Sequence, residues 1–163
     1  VNIRLASPSD NEAIRDIYNR EVTGSTVTFD LVPRSIGDQR QWLEEHSGAH
    51  PAVVADADGV VAGFGSLTAY RPRPAYATSV EDSVYVHPDW RSKGVGKLIL
   101  AELVHLAGIH GFHAIMARIV GDHDASVALH RSCGFEAIGI EKEIGRKFGR
   151  WLDVVVMEHL VGH

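Results

Sequence analysis

Residues 84–97 read Val84-Tyr85-Val86-His87-Pro88-Asp89-Trp90-Arg91-Ser92-Lys93-Gly94-Val95-Gly96-Lys97, and no other stretch of the chain restricts its fold as much. A β-branched, aromatic run stops at Pro88, a residue that has no amide to give to a sheet. A turn with glycine follows, and from 94 to 110 Val95, Leu98, Ile99, Leu103, Leu106 and Ala107 recur on one face of a helix. The first amides of that helix have no acceptor within it and carry the positive end of its dipole. Glycine lets a ligand come close to such a backbone. The corner is therefore a candidate cradle for a diphosphate, built from Arg91, Ser92, Lys93, Gly94, Val95, Gly96 and Lys97. The alternative is an ordinary strand–turn–helix corner with no ligand.

Two common phosphate signatures fail here. A P-loop needs glycine at the position of Arg91 and Ser or Thr at the position of Leu98. A dinucleotide fingerprint needs a small residue where Ile99 stands.

The rest of the chain supplies a layered α/β pattern. Residues 3–6 read as a strand, Ser7-Pro8 as a helix start, and Ile14, Ile17 and Tyr18 as that helix's apolar face. Thr23-Gly24-Ser25 ends it, 25–29 is extended or loop-like, and a helix carrying Trp42 and Leu43 follows a cap at 33–35. Strands are expected at 52–55 and 60–67 around a hairpin turn at 56–59, and again at 79–87, 113–120, 135–144 and 152–160. Short loop 70–74 is stiffened by two prolines, and a helix is expected at 126–132, closed by Gly134. The whole of 1–163 reads as one domain: a mixed sheet covered by helices on both faces.

Composition excludes several classes. A formal net charge of -5 argues against nucleic acid as the main partner. A single cysteine, Cys133, permits no internal disulfide and suits a cytoplasmic location. No apolar run approaches a membrane span, and the first residues lack a signal-peptide layout. Ten histidines invite a test for metal, but His46/His50 and His110/His113 lack the spacing and partners of a closed zinc site, so none is expected.

Arg91-x-x-Gly94-x-Gly96 between strand and helix resembles the acetyl-CoA diphosphate motif of the GNAT N-acetyltransferase superfamily. Ile3-Arg4-x-Ala6 and Ala125-Ser126-x-x-Leu129-His130-x-x-x-Gly134-Phe135 are similar to its first strand and late helix. Four further segments (25–29, 71–76, 80–86 and 147–153) resemble the phosphinothricin and methionine sulfoximine or sulfone acetyltransferases, in that family's order and across nearly the entire chain. The resemblance departs at His123, where Asn is common, and at His130, where Tyr is common; the first change puts one contact to the pantetheine arm in question.

The resemblance implies the GNAT fold and an enzyme that moves acetyl from acetyl-CoA to the α-amine of a small amino-acid-like molecule, with no metal. It places the catalytic carboxylate at Glu81, acting directly or through water on an amine that is mostly ammonium at neutral pH; the other reading is a surface carboxylate. Asp82, its neighbour, faces the opposite side of the strand. An amide near Tyr85 or Val86 is expected to polarise the thioester oxygen, with Val84 beside the coenzyme. His130 either contacts or protonates the departing sulfur or packs beside the coenzyme, which His123 and Ser126 also flank. Arg71 and Arg73 are implied to hold the acidic head of the substrate, with Thr28, Phe29 and Tyr76 lining the same pocket; the other reading is a solvated basic loop. A homodimer is implied, with 147–153 at its shared edge. Two other readings remain: a GNAT enzyme for another amine (protein N-terminus, polyamine or aminoglycoside), and an acyl-CoA-binding module without turnover.

Overall fold

The computed structural model describes residues 1–162. Its elements run β1 (Asn2–Leu5), α1 (Asn11–Gly24), α2 (Ile36–Glu45), β2 (Ala52–Ala57), β3 (Val60–Ala69), β4 (Ser79–Val86), α3 (Val95–Ile109), β5 (Ala114–Val120), α4 (Asp124–Ser132), β6 (Glu136–Lys147) and β7 (Arg150–Leu160). Three single 3-10 turns begin at prolines: Pro8–Asp10, Pro74–Tyr76 and Pro88–Trp90. The first corrects the expected helix start. Ser7 and Pro8 open a 3-10 turn, and the α-helix begins three residues later.

The hairpins are tighter than their sequences suggested. Asp58 and Gly59 both have positive φ (52° and 89°), as do Phe148 and Gly149 (53° and 71°). Such two-residue turns match the twist of the strands they join. Ala57 therefore pairs with Val60 and Lys147 with Arg150. The strands run right up to the turns, which is why β2, β6 and β7 exceed their expected lengths.

The sheet order is β1-β2-β3-β4-β5-β7-β6. Every neighbouring pair is antiparallel except β4 with β5. Helices cover both faces. On one, Ile14, Ile17, Tyr18 and Val22 of α1 bury against Val54 and Phe64, with Trp42 of α2 beside them. On the other, Val95, Ile99, Leu100, Leu103 and Ala107 of α3 bury against Val53, Val80, Ile115 and Met157. Each such aliphatic side chain contributes about 1.5–3 kcal/mol. Gly63 and Gly65 let α3 settle this close: a Cβ on Gly65 would lie 2.6 Å from Ile99 Cγ2.

Candidate functional site

The parallel pairing of β4 with β5 covers only Ser79, Val80 and Glu81 against Ala114, Ile115 and Met116. Beyond Glu81 the two strands part, and a cavity of about 610 Å³ opens between them. That is within the usual size of a small-molecule site. Its walls bring together Glu81, Val84, Tyr85, Val86, Arg91, Ser92, Gly94, Val95, Gly96, Lys97, His123, Ser126 and His130 of the expected residues. Lys93 is not among them; its Nζ lies 5.2 Å from the centre of the Trp90 ring.

One end of the cavity is the mouth of α3. Gly94 caps the helix in the left-handed region (φ 82°), a conformation that a side chain disfavours. The helical ladder begins with the Leu98 amide on Gly94 O at 3.2 Å, so the amides of Val95, Gly96 and Lys97 have no helical acceptor. Gly96 has a second role: a Cβ there would sit 3.3 Å from Leu129 of α4. The Arg91 guanidinium reaches across to Glu21 Oε1 at 2.6 Å. Glu21 is a nearly buried carboxylate at the end of α1 that also accepts from Ser25 Oγ, and sequence reasoning missed it. These donors and cations fit a diphosphate.

The middle of the cavity is the free edge of β4. The His87 amide donates to Ala62 O at 2.8 Å, on the β3 side. Amides alternate along a strand, so the Tyr85 amide also faces β3, whereas those of Val84 and Val86 face the cavity. Of the two amides expected near the thioester, Val86 has the required direction and Tyr85 does not.

The side chains of β4 alternate as well. Asp82 is buried on the α3/α4 side, with His130 Nε2 at 2.9 and 3.1 Å from its two oxygens. The other ring nitrogen, Nδ1, lies 2.7 Å from Ser126 O. Burial works against a charge on His130, but the hydrogen bond and charge of Asp82 outweigh it and raise the imidazole pKa. With both nitrogens engaged, His130 has no free donor for a sulfur atom. Asp82 as its partner was missed, because the two stand 48 residues apart. His123 borders the same region, and burial lowers its pKa.

Glu81 faces the other side, half-buried. Burial pushes its carboxyl above the ordinary carboxylate range; Arg118 of β5 opposes this and Asp82 adds to it. Arg118, which also pairs with Glu141, lines the cavity and was not singled out from sequence. Ala69 pairs with Val80 and Thr68 with Glu81, so the loop that joins β3 to β4 leaves the sheet beside Glu81, and the charge of Arg71 on that loop also lowers the Glu81 pKa.

The expected acceptor residues are not brought into the cavity. Arg71 lies over the Tyr70 ring at 4.6 Å and is exposed, as are Arg73 and Tyr76. Tyr76 meets Tyr70 edge-on at 5.6 Å. Thr28 is buried, its hydroxyl 2.8 Å from Tyr18 Oη and bonded by the Asp30 amide at 3.2 Å. Its carbonyl accepts from buried Lys147 at 2.8 Å. Phe29 covers Gly145. Among the described residues no group of three or more His, Cys, Asp or Glu is arranged to hold a metal ion. No described helix is long and apolar enough to cross a membrane.

The model of the Acetyltransferase (GNAT) family matches residues 11–135. A phosphinothricin N-acetyltransferase of Streptomyces coelicolor is 36% identical over 162 residues, covering 97% of this chain and 95% of the relative. An L-methionine sulfoximine/L-methionine sulfone acetyltransferase of Pseudomonas aeruginosa is 37% identical over 159 residues, covering 96% and 92%. Among solved structures, a GNAT superfamily phosphinothricin acetyltransferase from Sinorhizobium meliloti in complex with AcCoA superposes with a TM-score of 0.94 at 39% identity, covering 99% of this chain and 88% of that one.

Proposed function

Since the chain belongs to the GNAT acetyltransferase family, and so takes its acetyl group from acetyl-CoA, we propose that it acetylates the α-amine of a small amino-acid-like molecule of the phosphinothricin, methionine sulfoximine or methionine sulfone type. The observation that carries this reading is a carboxylate, Glu81, with a raised pKa in the wall of the cleft that begins at the mouth of α3. The names of the relatives supply the acceptor class.

The amides of Val95, Gly96 and Lys97 grip the diphosphate, with Arg91 and Lys97 adding charge. The thioester end then runs along the free edge of β4, where the Val86 amide stabilises the negative charge that develops on the carbonyl oxygen. Glu81 takes a proton from the acceptor ammonium, directly or through a water. The nitrogen lone pair forms the new N–C bond as the C–S bond breaks, the electron pair leaves with sulfur, and the proton that the nitrogen then sheds passes through water to the thiolate. His130, held by Asp82 and Ser126, positions α4 beside the coenzyme arm instead of donating a proton. Loop 70–76 brings Arg71 and Arg73 over the acidic end of the acceptor on binding.

A homodimer completes the site. Ile138, Ile140, Ile144, Phe148 and Trp151 are exposed on the β6–β7 hairpin, an apolar edge that a second copy would cover. The enzyme works in the cytoplasm, where its lone cysteine stays reduced.

The test is a thiol-release assay with acetyl-CoA against phosphinothricin, methionine sulfoximine, methionine sulfone, spermidine, an aminoglycoside and a short peptide. Turnover is expected with the three amino acids. Silence with them and turnover of another amine replaces the acceptor class; binding of acetyl-CoA with no product from any amine removes the enzyme reading.

A further inference from the structure

Glu81, Arg118 and Glu141 stand on one face of the sheet. Cross-strand partners project from the same face, and so do residues two apart on a strand. Glu81 pairs with Met116, two residues before Arg118; Arg118 pairs with Val156, and Glu141 with Val154. The strand order around them is β4-β5-β7-β6. Arg118 therefore has a carboxylate on each side: Glu81 on β4, and Glu141 on β6 beyond the valines of β7. Its guanidinium takes the far one, with Nη2 against Glu141 Oε1. That oxygen is shielded from solvent and takes no regular hydrogen bond among the described residues, so charge holds the pair.

The place of Arg118 makes this choice matter. Pairing of β4 with β5 ends at Glu81 and Met116. Arg118 is the next side chain on that face of β5 as the strands part, and it lines the cleft with Glu81. A guanidinium seated on Glu81 would hold it as a carboxylate that takes a proton reluctantly. A base works best when its pKa lies near the pH at which it operates. The other groups around Glu81 are engaged or exposed. Asp82 faces the opposite side and is taken by His130. Arg71, on the loop after β3, lies over Tyr70 and is exposed. Across β3, Thr68 carries a hydroxyl 3.3 Å from His46 Nε2. Glu158 of β7 and Glu136 of β6 share the face one row back, beyond Met116. After burial, the charge of Arg118 is the largest influence on the Glu81 carboxyl.

We propose that Glu141 is a positioning residue for the catalytic base: by drawing the Arg118 guanidinium to the far side of β5 it keeps that cation from closing on Glu81, and the division of Arg118 between the two carboxylates sets how readily Glu81 takes the acceptor's proton. The inference rests on the reading of Glu81 as base given above and leaves the acidic head of the acceptor with Arg71 and Arg73. The signs follow. Removing the charge of Arg118 strengthens the base. Removing that of Glu141 frees Arg118 for Glu81 and weakens it.

The test is the pH profile of kcat/KM in the wild type, R118Q, R118K, E141Q, R118Q/E141Q and E81Q, with the amine that the thiol-release panel selects. Titration of the amine itself is common to all of them. In R118Q the rising limb is expected to move up by about one pH unit, the low end of what a neighbouring opposite charge is worth. In E141Q it is expected to move down by up to about one. R118K keeps the charge and stays near the wild type. In the R118Q background E141Q loses most of its effect, because no cation is left to release. KM for acetyl-CoA is expected to stay within about twofold in the Arg118 and Glu141 variants, which lie apart from the amides of α3. If the limb is lost in E81Q yet stays in place in R118Q and E141Q, the base reading stands and this inference falls. An equal shift by E141Q with and without Arg118 makes Glu141 a bystander charge and overturns its positioning role. A limb that persists in E81Q, or no turnover of any amine, removes base and inference together. Should R118Q fail to fold, the E141Q profile decides: a downward move sustains the inference, and none or an upward one overturns it.

Discussion

Replacing Asp82 by Ala and by Asn separates charge from shape at the buried pair beside the cleft. Ser126 O can only accept, so the Nδ1 of His130 at 2.7 Å carries a proton. Nε2 faces two carboxylate oxygens at 2.9 and 3.1 Å and carries one as well. The pair is thus imidazolium and carboxylate, with side chains only 4% and 2% exposed. Removing one partner of such a pair costs about 3–5 kcal/mol, because the other charge is left buried. For a chain of 163 residues each kcal/mol moves the midpoint by about 2–4 °C, so D82A should melt about 6–20 °C below the wild type. D82N keeps the shape. With a neutral ring its amide can donate to Nε2, and at pH 8.5 the cost should be only about 1 kcal/mol. The signs with pH are opposite. The raised pKa of His130 in the folded wild type gives stability that is fully present below about 6.5, the unfolded value, and is lost as pH rises through the folded value. In D82N the folded ring resists protonation, so stability is lost as pH falls below about 6.5, by about 1.4 kcal/mol for one unit. Thermal melts followed by circular dichroism at pH 5.5 and 8.5 should show the gap between wild type and D82N widening at pH 5.5. An equal gap at both values, or a D82A cost below about 1 kcal/mol, refutes the ion-pair argument.

Glu81→Gln removes the base and keeps the size; kcat should fall about 10²–10⁴-fold with KM for acetyl-CoA unchanged. In the wild type kcat/KM for the acceptor should rise with pH through a value above the ordinary carboxylate range, since the base acts only when deprotonated and burial raises its pKa; the same limb in E81Q would assign it to another group. On the proposed reading Arg91 exchanges its contact with Glu21 for a phosphate oxygen. E21Q should therefore lower KM for acetyl-CoA about two- to fivefold, the worth of a partly exposed pair, and R91A should raise it about tenfold; identical KM values in the two variants and the wild type would show that Arg91 stays on Glu21 throughout.

The corner at the mouth of α3 was legible because its parts are consecutive. Proline stop, turn, Gly94 and helix lie within residues 84–97, and the open amides follow from backbone geometry alone. The opposite facing of Glu81 and Asp82 was legible from the period of a strand. What each carboxylate meets was not. Asp82 and His130 are 48 residues apart, and Arg91 and Glu21 70. Nothing local in α1 marks Glu21 as a partner. Tyr85 and Val86 were equivalent in sequence, and only the register with β3 turns one amide to the cleft. Strand ends fell short at 55, 144 and 152 because charged residues beside the two hairpin turns (Asp56, Arg146, Lys147, Arg150) weaken the alternation, while the positive-φ turns at 58–59 and 148–149 fix the pairing.

The same contrast bears on how such a chain changes specificity. On the proposed reading the diphosphate is held by backbone amides, which the left-handed Gly94 and the small Gly96 leave open. The carboxylate side of the cleft is made of side chains, Glu81 of β4 and Arg118 of β5, brought together by the sheet. Substitution at 118 therefore changes the charge that opposes the raised pKa of Glu81 without touching the open amides at the mouth of α3, so on the proposed reading acceptor turnover can shift while acetyl-CoA binding holds.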